Sequence, residues 1–111
     1  MYLPKPDVYQ ALNDIDATVM QGMQKTVTDF PSITFYVDDN AASLNLDNEI
    51  AWQNVSIIVD VWAHTSQEAD SLLAQVETKM RELGYRLATM SDVPDPKNIC
   101  HINTRFEAIK T

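Results

Sequence analysis

Glycine is nearly missing from this chain: Gly22 and Gly84 are the only two among 111 residues. A loop that cradles phosphate with backbone N–H groups needs glycine at close spacing. The P-loop and dinucleotide fingerprints are therefore excluded. Cysteine occurs once, as Cys100, so no intrachain disulfide can form, and a reducing cytoplasm fits. Bases are scarce, eight against sixteen acids, for a net charge of −8. They are scattered from Lys5 to Lys110, whereas gripping phosphates needs clustered Lys and Arg. The same charge opposes adsorption to an anionic membrane. No apolar run approaches the roughly 20 residues of a membrane span. The opening residues, MYLPKPDVYQ, lack the basic-then-apolar order of a signal peptide, so a cytosolic chain with no membrane partner is expected.

The apolar fraction of 45% and charged fraction of 22% are ordinary for a globular protein, and the length suits one domain spanning 1–111. Pro6 and Asp7 suit a helix start. Val8, Leu12, Ile15, Val19 and Met23 then recur at helical spacing, which predicts a first helix to about Met23. SITFYV, 32–37, alternates as a strand does. Residues 38–49, DDNAASLNLDNE, are polar and predict a long loop. WQNVSIIVDVWAH, 52–64, is the strongest strand signal. Val55, Ile57, Val59, Val61 and Ala63 mark its core face; Asn54, Ser56, Ile58, Asp60 and Trp62 mark the other. Thr65 and Glu68 form a capping box ahead of Ala69, Leu72, Leu73, Val76, Met80 and Leu83. Gly84 stands where a left-handed cap belongs, so a second helix is predicted over 66–83. YRLATM (85–90) and ICHINTRFEAI (99–109) read as two further strands around a proline-containing loop. The predicted order is α-β-β-α-β-β: an α+β fold in two layers, with a mainly antiparallel four-stranded sheet and both helices on one face.

Chemistry-bearing residues are sparse. His64 ends one strand and His101 begins another, but with Cys100 they lack zinc-ligand spacing, and Cys100 and His101 point to opposite faces. Cys100 reads as a small buried hydrophobe. The acids of the two loops, Asp38, Asp39, Asp47, Asp92 and Asp95, lack the alternation and glycine of a calcium loop. Asp60 and Arg105 are candidates for a cross-strand pair. Tyr36, Ile58, Trp62 and Ile109 on one side of the sheet would be too apolar to face water alone, unless the first helix or the terminal arm covers them. Leu44 and Leu46 sit in the polar loop, and Trp52 opens the long strand. The candidate interface is Tyr36, Asp38, Asp39, Leu44, Leu46, Trp52, Ile58, Asp60, Trp62, Asp92, Asp95 and Arg105. No catalytic, metal or cofactor residues are predicted. An enzyme would have to work with His64, His101 or Asp60.

The run IIVDVWAHTSQEADSLLAQVETKMRELGYRL, 57–87, pairs a valine-rich strand ending in an aromatic and a polar turn with a helix closing in L-G-Y-R-L. With the proline loop, the last strand and the P-S-I-T-F-Y strand, it resembles the tail terminator or tail completion proteins of long-tailed bacteriophages, which join head to tail. The resemblance spans most of the chain. It implies a structural virion protein, made in the bacterial host cytoplasm. Such a protein would form a hexameric homo-oligomer ring on the tail tube and meet the head connector protein, with DNA passing through unbound. It implies no enzyme activity and no cofactor. A negative lumen would let DNA slide. A small regulatory or ligand-binding α+β module is the alternative.

Overall fold

A computed structural model of the chain describes residues 1–22, 27–95 and 98–111. It is an α+β protein with one mixed sheet of five strands. The elements in chain order are α1 (Pro4–Asn13), β1 (Thr18–Gln21), β2 (Ser32–Leu44), β3 (Ile50–Ala63), α2 (Ser66–Glu82), β4 (Arg86–Val93) and β5 (Cys100–Lys110). The strands lie in the order β1-β2-β3-β5-β4. β1 runs parallel to β2, and the other neighbours are antiparallel.

α2 forms where its caps and apolar stripe predict it. The Thr65 hydroxyl accepts the Glu68 amide N–H at 3.1 Å, which satisfies one of the donors a helix start leaves open. The Glu68 carboxylate reaches back to the His64 amide at 3.4 Å. At the other end Gly84 takes φ +90°, and the Tyr85 amide bonds to the Met80 carbonyl. Ala69, Leu72, Leu73, Val76 and Met80 are buried. They join Val8 and Leu12 of α1 and the inward residues of β2, β3 and β5 in one cluster, so both helices lie on one face of the sheet. β3 carries that core. Val55, Ile57, Val59, Val61 and Ala63 are all buried, as their period-2 spacing predicts.

The first helix is shorter than its spacing suggests. It opens earlier, with Pro4 in its first turn, and stops at Asn13. Val19 belongs to the short strand β1, and Met23 lies outside the described residues. The i, i+4 spacing of Ile15 and Val19 fits a helix. Pairing with β2 gives the backbone of Thr18–Gln21 a ladder instead, and tertiary pairing outweighs a weak local preference.

The predicted loop 38–49 is largely strand. β2 continues to Leu44 and β3 begins at Ile50, leaving only a tight turn. Asn45 builds that turn: its side-chain oxygen accepts from the Asp47 amide at 2.9 Å and the Glu49 amide at 3.0 Å. Asn48 adopts φ 60°, a conformation asparagine tolerates. A bulge between Val37 and Asp39 marks where the hairpin leaves the body. β5 ends opposite Gln53 and β1 reaches only Phe35, so the hairpin end projects as an arm. The molecule measures 53 × 24 × 20 Å, with a radius of gyration of 14.9 Å, against about 13 Å for a compact chain of this size. No described helix is long and apolar enough to cross a membrane.

Candidate functional site

The sheet face away from the helices is built in rows by strand register. Ser32, Trp62 and His101 form one row; Thr34, Asp60 and Asn103 the next; Tyr36, Ile58 and Arg105 the third. Trp62 and His101, directly opposed, stack with ring centroids 3.6 Å apart and planes 13° from parallel. The Trp62 indole N–H donates to the Thr34 hydroxyl at 3.3 Å. His64 stands apart from His101, tilted against Phe30.

Asp60 does not pair with Arg105. Its Oδ1 lies 2.8 Å from His101 Nε2 and accepts from Asn103 Nδ2 at 2.8 Å. Arg105 donates to Asp38 at 2.7 Å. The bulge explains the exchange: it inserts Asp38 into β2 and brings that carboxylate over Arg105, while Asn103, directly opposite Asp60, supplies a nearer donor. His101 and Asn103 were legible as residues of this face from alternation, but the bulge left no trace in the sequence. Tyr36, between these acids, has its pKa raised by burial first and by the charges of Asp60 and Asp38 second.

The centre of this face is not an exposed apolar patch. Ile58 is 6% exposed, and Tyr36 and Trp62 are half-buried. Ser32 and Thr34 are buried. Neither cover weighed for this side lies there: the first helix packs on the other face, and the terminal arm is held at the far end of the sheet. There the Tyr2 amide donates to Gln53 Oε1 at 2.6 Å, and the Tyr2 and Tyr85 hydroxyls meet at 2.9 Å. Lys110 lies about 5 Å above both rings and donates to the Leu83 carbonyl. Burial raises the pKa of both phenols, strongly at Tyr85.

Exposed apolar surface collects on the arm. Leu46 at the turn is 103% exposed, Leu44 57%, Trp52 44% and Ile50 41%. Leu44 faces Ile50 across the hairpin, and Trp52 faces Ser43. Asp47 and Glu49 flank this tip and are exposed. Of the predicted interface residues, Leu44, Leu46 and Trp52 are therefore gathered at the tip. Asp38 and Asp39 sit at the base of the arm. Asp92 is exposed on β4, at the opposite edge of the sheet, and Asp95 is half-buried just beyond it. Ile50 and the exposed Met90 of β4 were missed. An apolar residue bordering a polar run was the available signal for the first.

An open groove of about 760 Å³ runs beside the base of the arm, lined by Arg81, Arg86, Arg105, Asp39, Tyr85 and Ile109 among others. Its cations are already matched: Arg81 by Glu77, Arg86 by Glu107 and Arg105 by Asp38. Among the described residues, no three His, Cys, Asp or Glu side chains are grouped to hold a metal ion. Cys100 is half-buried and packs against the core. The arrangement offers ion pairs, a stacked histidine and a projecting apolar tip. No protein-family model matches this chain, and no curated protein matches it.

Proposed function

We propose that this chain is a structural assembly protein, not an enzyme, that caps a bacteriophage tail tube as a ring and joins it to the head connector. The observation that carries the reading is the arm, whose folded turn holds Leu46 fully exposed between Leu44 and Ile50. Large apolar side chains in that position mark a surface that a partner covers. The resemblance of residues 57–87 to tail terminator proteins supplies the class of partner: the tube end, with further copies of the chain beside it. A net charge of −8 per copy gives a ring of about six subunits a negative field that repels DNA phosphates, which suits passage without binding. The protein's place is then the virion, at the head–tail junction.

The test is sizing by light scattering together with negative-stain imaging of the protein mixed with tail tubes. Rings on tube ends are the expected result. Bare tube ends at every protein concentration would reject the reading. The groove beside Arg81 and Arg86 favours a second reading, a small ligand-binding module. That reading predicts thermal stabilisation by a metabolite.

A further inference from the structure

We infer that copies of this chain join head to tail by sheet extension, the outer edge of β4 in one copy adding to the outer edge of β2 in the next. The inference rests on the ring reading for its choice of occupant, a second copy. Its basis is the accounting of strand edges. β1 lies against β2 only over Ser32–Phe35, so among the described residues no strand lies against 36–44. The outer side of β4 likewise carries no strand among them. An unpaired edge presents backbone N–H and C=O groups that template another strand.

The two edges match in three respects. First is direction. β2 is antiparallel to β3, β3 to β5 and β5 to β4, so β4 runs opposite to β2. Copies related by rotation about an axis along the sheet keep those directions, and the new ladder is antiparallel.

Second is regularity. Each strand has a bulge, at Asp38 and at Ala88, and beyond it each is regular over five residues, 39–43 and 89–93. Setting these runs against each other puts Ala41 opposite Ser91 and Ala42 opposite Met90. Ala41 and Ser91 both lie on the outer face, opposite Asn54 and Asn103, while Ala42 and Met90 both lie on the helix side. The pleat therefore stays in phase, as a continuous sheet requires. All four residues are exposed.

Third is charge. In this register, past the bulge at Ala88, Leu87 comes level with Leu44 of the next copy and Arg86 with Asn45, at the start of the turn that carries the acids Asp47 and Glu49. Within one copy Met90 lies level with Val59, and Ala42 with Gln53, so in this register each copy is displaced along the strands by six residues; stagger of this kind is what closing a sheet into a barrel needs. Because the two edges differ, the contact is heterologous and generates a ring when its rotation closes, where a two-fold contact would stop at a dimer.

Disulfide trapping tests this. In a Cys100→Ser background, Ala41→Cys protein is mixed with Ser91→Cys protein and mildly oxidised. Ala42→Cys with Met90→Cys forms a second mixture, because directly opposed residues alternate between close and wide spacing. The expected result is a covalent mixed dimer in at least one mixture, with neither partner cross-linking to itself. No mixed dimer in either mixture, or self-linking of Ala41→Cys as in a two-fold contact, overturns the edge contact. Native mass measurement and tube imaging of the unaltered chain separate the two ideas. Rings without cross-links sink the edge contact alone. A monomer that leaves tube ends bare sinks both.

Discussion

Asp60 and Asp38 are both acids on the outer face of the sheet, but they are held differently. Asp60 is largely enclosed and serves His101 and Asn103 together. Asp60→Ala leaves two donors without their acceptor, so a loss of about 1–3 kcal/mol is expected in urea unfolding. The Asp38–Arg105 pair is more open, with Arg105 39% and Asp38 32% exposed. Asp38→Ala should cost no more than about 1 kcal/mol, and equal losses in the two variants would contradict this assignment. Tyr85 makes a pH prediction. Burial raises its phenol well above the ordinary 10.0, so the folded state keeps a proton that the unfolded chain releases. The stability Tyr85 contributes is complete below about pH 10 and declines as pH rises past it. Urea midpoints should fall from about pH 9 to about pH 11, and Tyr85→Phe should flatten that slope. The Asp60–Arg105 pairing expected from alternation failed for a reason no residue type announces: one inserted position in β2 shifts which carboxylate faces the guanidinium.

At the scale of elements, legibility followed the presence of a core to face. β3, β5 and α2 bury one side against the main cluster, so their periods and caps are written in Val55–Ala63, Cys100–Ala108 and Thr65–Gly84. The arm has no core on either side. Its residues 38–44 are under no pressure to alternate, and β-propensity without packing is a weak signal, so a strand there reads as loop. β1 is four residues long and exists through its parallel partner. Two outcomes test these elements. Gly84→Ala places a side chain at φ +90° and sets its Cβ 3.3 Å from Lys110 Nζ. The backbone strain should cost about 1–2 kcal/mol, seen as a lower urea midpoint. Leu46→Ser, on a side chain without cover, should change monomer stability by less than about 0.5 kcal/mol and, under the proposed function, abolish binding to tube ends.

For the whole molecule, the balance of charge sets how assembly answers to salt. Each copy brings −8, so neighbours in the proposed ring repel. Screening shortens to about 8 Å at 0.15 M ionic strength, so the assembled fraction measured by light scattering should rise from low to physiological salt. A fall would mean that the contacts of Arg86 with the acidic tip outweigh the general repulsion.

The turn at Asn45 closes its own hydrogen bonds before any partner arrives. Leu46 is thus presented by a finished hairpin, and capture of it loses little chain entropy, since rigid surfaces escape much of the ordering cost of association. Encounter with the proposed tube end should proceed at the pace of preformed proteins, on the order of 10⁵–10⁷ M⁻¹s⁻¹, with no slow folding step before contact.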